Sequence, residues 1–170
     1  RSGRHRMTYS IPFHRRVLGH LVRESAEQFG DRPFLTVDGR CHSFRAVHER
    51  SQSLARGLRG LGVRRGEPVI VMFDNSVQFI LAWFAIVSLD AVCVPVNTAY
   101  SGELLSYVLR DTRARWALAS GRLAPAFAGL ERPLRGDLHT LVVHGEAGPI
   151  DGLRVLQRLA PEVYLSISAE

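Results

Sequence analysis

The chain has 170 residues, enough for one globular domain with a buried core, and its 46% hydrophobic and 22% charged residues argue against disorder. Its formal net charge is +6, and all 22 basic residues are arginine. Because arginine stays protonated at ordinary pH, the composition excludes sites that need a lysine amine, including the phosphate-binding loop GxxxxGK[ST].

Two helices and a hairpin are predicted in the first third of the chain. Apolar residues at helical spacing predict a helix over Arg15–Phe29. An Asp-Gly pair, which favours tight turns, joins Pro33–Val37 to Arg40–Phe44 and predicts a β-hairpin. A second amphipathic helix is predicted over Arg45–Leu61, with Gly62 as its left-handed stop. Its side chains predicted to face water are those of Arg45, Glu49, Arg50, Gln52, Arg56 and Arg59.

The middle of the chain alternates strands and helices. Pro68–Phe73 and Ala91–Val96 are continuous apolar runs typical of buried strands, and Val77–Leu89 between them is a helix that is apolar on almost every side. Ser101 opens another helix, and Arg115–Ala119 is the next strand. Strand–helix alternation with short links predicts an α/β fold: an open, mainly parallel sheet flanked by helices on both faces.

The last third carries weaker signals. Arg122–Leu130 is predicted to be a short helix broken by Pro125. Leu138–His144 is predicted to be a strand, Gly145–Gly152 a loop, and Leu153–Leu159 a helix.

Two polar segments follow predicted parallel strands. Asp74-Asn75-Ser76 and Asn97-Thr98 lie at carboxyl ends of strands, where open α/β sheets bind ligands. Asn75 and Ser76 equally suit the cap of the helix that follows, which is the more common role of such residues.

Other patterns give no catalytic, cofactor-binding or metal-binding residue. The glycines of Gly57–Gly62 have the wrong order for a dinucleotide motif and follow a helix, so they indicate a helix end. His139 and His144 flank one predicted strand on opposite faces, which argues against a shared metal. Trp83 and Phe84, in an apolar helix, are expected in the core and not in a base-stacking platform.

Compartment and partners follow from composition. Cys41 and Cys93 are isolated, Cys93 is expected to be a small core residue, and two unpaired cysteines predict a reducing, cytoplasmic location. Val77–Val96 is long enough to span a membrane, but Asp90 within it argues for a buried helix and strand. The arginines are scattered among 16 acids, which indicates a solvated surface and not a nucleic-acid site.

Ordered motifs over Val17–Ser120 resemble the N-terminal region of the adenylate-forming superfamily. Glu24–Ser76, ESAEQFGDRPFLTVDGRCHSFRAVHERSQSLARGLRGLGVRRGEPVIVMFDNS, is similar to the family's opening helix, hairpin, long helix and first parallel strand. Phe84–Tyr100, FAIVSLDAVCVPVNTAY, resembles the next core motif, usually Lys-Ala-Gly-Ala, with Asp90 in place of the glycine. VPVNTAYSGELLSYVLRDTRA looks more like acyl-CoA synthetases, including carnitine-CoA ligases, than peptide-synthetase domains.

The resemblance implies part of a two-step ligase. In such enzymes a carboxylate attacks ATP with Mg²⁺ to give an acyl-adenylate, and coenzyme A then displaces AMP. The family's phosphate-binding loop should begin soon after Ser168-Ala169-Glu170, and its catalytic lysine lies further downstream, so no catalytic residue is transferred to this chain.

The resemblance also implies a domain division. Residues 1–14 are expected to be a flexible segment, with Met7 as a candidate start, and residues 15–170 an incomplete N-terminal domain, inactive by itself. ATP, Mg²⁺, coenzyme A and a small carboxylate are expected for the full-length enzyme only. The alternative is a free-standing, non-catalytic α/β binding or scaffold domain. In either case the isolated chain is expected to self-associate through an exposed sheet edge.

Overall fold

The computed structural model describes residues 17–156; the predicted segment 1–14 and residues 157–170 lie outside this range. The elements, in chain order, are α1 (Leu18–Phe29), β1 (Pro33–Val37), β2 (Arg40–Ser43), α2 (Phe44–Gly60), β3 (Pro68–Met72), α3 (Val77–Ser88), β4 (Val92–Pro95), α4 (Gly102–Thr112), β5 (Trp116–Ser120), α5 (Pro125–Ala128), β6 (Thr140–His144) and β7 (Arg154–Leu156).

The five strands that follow the hairpin form one parallel sheet in the order β4-β3-β5-β6-β7. The register pairs Val71 with Leu118 and Leu118 with Val142 across the three central strands. Because all the strands are parallel, their carboxyl ends meet at one edge of the sheet, here called the carboxyl edge, and their starts form the amino edge. The predicted open parallel sheet and the N-terminal hairpin are confirmed.

Helices cover both faces of the sheet. Alternate residues of β3 face opposite sides: Val69 and Val71 pack against α2 and α3, and Ile70 and Met72 pack against α4 and α5. All four side chains are fully buried. Each such aliphatic side chain adds about 1.5–3 kcal/mol of hydrophobic stabilisation, so the sheet is the main source of the core.

The apolar helix α3 lies between the sheet and an outer layer made of α1 and the hairpin. Val77, Leu81 and Phe84 face that outer layer, while Ala82 and Ile86 face the sheet. Two apolar faces are needed by a helix in this position, which explains why α3 shows almost no polar side. The predicted burial of Phe84 is confirmed, but Trp83 is 37% exposed and packs against Phe84 at the surface.

The predicted helix over Leu153–Leu159 is wrong where the structure describes it. Arg154–Leu156 forms β7, which extends the sheet by pairing in parallel with Thr140–Val142 of β6. A segment of this length fits a helix or a strand by periodicity, and the unpaired edge of β6 decides in favour of the strand.

Pro125 begins α5 instead of breaking a helix, because proline lacks the N–H that the first helical turn leaves unpaired.

Position 90 explains a departure from the family pattern. Asp90 has φ +55°, a left-handed conformation that glycine adopts most easily and aspartate tolerates. Its carbonyl accepts a hydrogen bond from Gly66 at 2.8 Å, so the turn between α3 and β4 forms without the usual glycine.

Candidate functional site

The carboxyl edge collects polar side chains from four strands or the loops that follow them. Asp74 follows β3, Asn97 follows β4, Arg122 follows β5, and His144 ends β6. This placement confirms that the two polar segments singled out in the sequence lie at one edge of a parallel sheet. Each side chain's partners then decide what it can do.

Asp74 and Arg122 join the ends of the adjacent strands β3 and β5. Arg122 Nη2 donates to both carboxylate oxygens of Asp74, at 2.6 and 2.7 Å. Both side chains are more than half exposed. Water screens such a pair, so it contributes at most about 1 kcal/mol and serves chiefly to position the two loops.

Two other predicted polar residues have local roles. The Ser76 hydroxyl accepts a hydrogen bond from the Phe79 N–H at 3.3 Å and caps α3. The Asn97 carboxamide oxygen accepts from the Ala99 N–H at 2.9 Å and closes its own turn. Asn75 is exposed and Thr98 is half-buried. The capping role weighed for Ser76 is therefore the observed one.

The loops after β5 and β6 touch closely at Gly121. A Cβ placed on Gly121 would lie 2.2 Å from the Glu146 carbonyl oxygen, so no larger residue fits without moving the backbone. The preceding Ser120 hydroxyl is buried and has no hydrogen-bond partner in the described part of the chain. These loops are thus set by main-chain packing.

Arg50 is a residue that the sequence reasoning placed wrongly. It was predicted to face water, but it is half-buried, and its Nη2 atom is buried without a hydrogen-bond partner among residues 17–156. Arg50 lies three residues after Val47 and four before Leu54, both buried, so it belongs to the apolar stripe of α2. This helical spacing from two apolar residues is the sequence feature that could have predicted the burial of Arg50. The Gln52 side chain is likewise partly buried, and its Nε2 donates a hydrogen bond to the Ser88 hydroxyl.

His144 at the end of β6 is paired with Gln78 of α3. Gln78 Nε2 donates to His144 Nε2 at 3.1 Å. Burial and the Arg50 guanidinium lower the pKa of His144, in that order of importance. Burial also lowers the pKa of Arg50 itself, although arginine remains protonated at any ordinary pH. The lowered pKa favours the neutral imidazole of His144 at pH 7.

The amino edge differs in having its polar groups paired with one another. Glu67 Oε1 accepts from Arg115, and Glu67 Oε2 accepts from the Arg64 N–H at 2.6 Å. The Arg115 guanidinium lies 4.4 Å from the centroid of the Trp116 ring, which in turn meets His139 edge-on at 5.5 Å. These side chains at the amino edge therefore find their partners among one another.

The two cysteines lie in different environments. Burial raises the pKa of the Cys93 thiol to about 11, and Cys93 packs against the core, as predicted. Cys41 is exposed on the hairpin. Within residues 17–156 no three His, Cys, Asp or Glu side chains come together as metal ligands. The same range holds no helix long and apolar enough to cross a membrane.

Comparison with known proteins shows which family of proteins this chain is similar to. The AMP-binding enzyme family matches residues 22–159. The phosphinothricin tripeptide synthetase of Streptomyces viridochromogenes is 32% identical over 165 residues, which cover 91% of this chain. The crotonobetaine/carnitine–CoA ligase of Salmonella paratyphi A is 26% identical over 139 residues, which cover 79% of this chain. Members of both the peptide-synthetase and the CoA-ligase class are thus similar to this chain.

A solved structure agrees in fold. The crystal structure of an anthranilate CoA ligase in complex with anthranoyl-AMP superposes with a TM-score of 0.73 at 27% identity, over 81% of this chain and 26% of the ligase. The chain spans 15% of the tripeptide synthetase and 27% of the carnitine–CoA ligase. It therefore corresponds to a fraction of each relative.

Proposed function

Because the chain belongs to the AMP-binding enzyme family, we propose that it is the N-terminal portion of an ATP-dependent carboxylate–CoA ligase. The observation that carries the proposal is the match over residues 22–159, since it includes nearly all of the parallel sheet and its helices. The substrates would be a small carboxylate, ATP and coenzyme A, with Mg²⁺ as cofactor. Similarity to the carnitine–CoA ligase and to the anthranilate CoA ligase supports the thiol-ligase branch.

The described residues do not fit a complete ATP–Mg²⁺ site. The chain has no lysine, and residues 17–156 bring no cluster of metal-ligating side chains together. Acyl-adenylate formation needs groups that stabilise charge on the phosphates and at the reacting oxygen. We therefore assign no catalytic step to a residue of this chain and propose that residues 1–170 alone are inactive.

The direct test has two parts. The first is the reading frame after Glu170, where a Ser/Thr/Gly/Lys-rich phosphate loop is expected. The second is ATP–pyrophosphate exchange with a panel of carboxylates, measured for residues 1–170 and for the chain continued through that frame. Exchange by the longer chain alone is the expected result.

Two outcomes would oppose the proposal. A stop codon directly after residue 170 would favour a free-standing, non-catalytic binding or scaffold domain. Absence of exchange with every acid in the longer chain would count against a ligase. The acid that supports exchange would also identify the substrate class.

The isolated chain is expected to associate with itself. Val92 on the edge strand β4 is 49% exposed, and Leu104 and Tyr107 on α4 are 59% and 64% exposed. Apolar groups beside an unpaired strand edge favour edge-to-edge contact. Sedimentation that depends on concentration is expected, and a monomer at all concentrations would contradict this.

A further inference from the structure

We propose that a groove between α1, β1, α2 and α3, here called the outer groove, binds a small neutral ligand with one aromatic ring and one hydroxyl group. The groove has a volume of about 150 Å³. None of the described residues that line it belongs to the parallel sheet or to its carboxyl edge. The site is therefore independent of the proposed ligase activity and requires no turnover.

Three aromatic side chains form part of the wall of the outer groove. The ring centroids of Phe34 and Phe44 lie 4.5 Å apart, and those of Phe34 and Phe84 lie 6.3 Å apart. Phe84 is buried, while Phe34 is 39% exposed, so the groove has a fixed floor and an open rim. A planar ring that enters meets rings already held in place by one another, and aromatic pairs favour centroid distances of about 4.5–7 Å.

The volume of the outer groove limits the size of the ligand. An apolar cavity of about 150 Å³ accepts one benzene ring, whereas sites for drug-sized ligands enclose about 300–1,000 Å³. The outer groove, at about 150 Å³, matches the first class. A single ring therefore fits, and a fused-ring system or a long acyl chain does not.

The helix α1 determines the polarity of the lining. It contributes Leu18, Leu21, Val22 and Ser25, which recur at positions i, i+3, i+4 and i+7 of one helical face. Ser25 is the one polar side chain among the described residues that line the groove, and none of them is ionisable. A charged ligand would lose hydration there without a partner, whereas one hydroxyl can form a hydrogen bond with the Ser25 hydroxyl.

The experiment is an NMR titration of the ¹³C-labelled 170-residue chain with phenol, a neutral one-ring probe. Leu18, Leu21, Val22 and Val47 line the groove, so their methyl resonances should shift and saturate. A dissociation constant of about 1 mM is expected for a ligand of this size. Benzoate has the same ring with a negative charge and should bind at least about tenfold more weakly. This arm also separates the site from one for the carboxylate substrate of a ligase.

Two variants test the assigned contacts. Ser25→Ala should weaken phenol binding by about threefold to tenfold and leave the binding of toluene, which has no hydroxyl, unchanged. Leu21→Phe places an additional ring in the groove and should abolish binding of both probes. Leu104→Phe is the matched control, because Leu104 is 59% exposed on α4 and does not line the groove, and it should bind phenol as the wild type does.

Four results would overturn the proposal. The first is the absence of saturable methyl shifts at phenol concentrations about tenfold above the expected dissociation constant. The second is binding of benzoate as tight as that of phenol, and the third is an equal effect of Ser25→Ala on phenol and toluene. The fourth is a methyl shift that depends on protein concentration without ligand, since a second copy of the chain would then cover the groove.

The test remains decisive if one variant fails to fold. Without Leu21→Phe, the comparison of the wild type with Ser25→Ala still supports or overturns the proposal. Loss of phenol binding in a folded Leu104→Phe variant would count against the groove as the site. ATP–pyrophosphate exchange is not measured here, so failure of this proposal is distinguishable from failure of the ligase assignment.

Discussion

The two edges of the sheet differ in how far their polar side chains are paired with one another. At the amino edge, Glu67 satisfies Arg115 and the Arg64 N–H, and Trp116 packs between Arg115 and His139. At the carboxyl edge, the Ser120 hydroxyl is buried without a hydrogen-bond partner in the part of the chain described, and so is the Nη2 atom of Arg50 on α2. Within these residues the polar side chains named at the amino edge satisfy one another, whereas buried donors at the carboxyl edge remain unpaired.

The first test concerns the tightest packing at the carboxyl edge. Gly121→Ala should lower the free energy of unfolding by about 2–4 kcal/mol, because its Cβ would meet the Glu146 carbonyl oxygen at 2.2 Å. Urea denaturation measures the change. Gly129→Ala is the control, since nothing lies within 4 Å of its added Cβ, and it should change stability by less than about 0.5 kcal/mol. Equal effects would show that the loop contact is unimportant.

The second test compares one acid from each edge. Glu67→Gln should cost about 1–2 kcal/mol, because Glu67 is mostly buried and accepts two hydrogen bonds, one from a guanidinium. Asp74→Asn should cost less than about 1 kcal/mol, since its pair with Arg122 is exposed. Chemical denaturation of both variants ranks them. A larger loss for Asp74→Asn would reverse the distinction between the two edges.

The third test is the pH dependence of stability. His139 at the amino edge and His144 at the carboxyl edge both have pKa values lowered from 6.5, chiefly by burial. Below that value the unfolded chain takes up protons that the folded state resists. The free energy of unfolding should therefore fall modestly as pH drops through 6.5.

Denaturation midpoints between about pH 7.5 and 5.5 measure this decline, above the range where carboxylates titrate. His139→Gln and His144→Gln should each flatten it. A midpoint that rises on acidification would contradict the sign.

The smallest effect is expected at the turn before β4. Asp90→Gly should stabilise the chain by roughly 0.5 kcal/mol, because glycine adopts φ +55° without strain. Asp90→Ala is the matched comparison and should destabilise, since alanine disfavours this conformation. Thermal melts of the two variants give opposite shifts if the left-handed backbone is the cause.

The sequence was sufficient for the sheet and most of its helices. Continuous apolar runs at β3 and β5 and the nearly all-apolar α3 identified buried layers, because burial on two sides leaves few polar positions in a segment. The apolar run at β4 was expected to be buried as well, but β4 lies at the edge of the sheet and is partly exposed. Cap residues such as Ser76 and the Asp-Gly turn of the hairpin gave boundaries close to those observed. Each of these features depends on residues close together in the chain, so the sequence alone is enough to predict it.

Tertiary structure decided what depends on neighbours distant in the chain. The segment Arg154–Leu156 became a strand because β6 offered unpaired main-chain groups, which no periodicity of three residues can show. Arg50 is one of the charges that the sequence assigns to the solvent face of α2, but in the folded chain its Nη2 atom is buried. The burial of a side chain depends on all of its neighbours in the fold, so the sequence determined the architecture, while only the folded chain determined which polar side chains are buried.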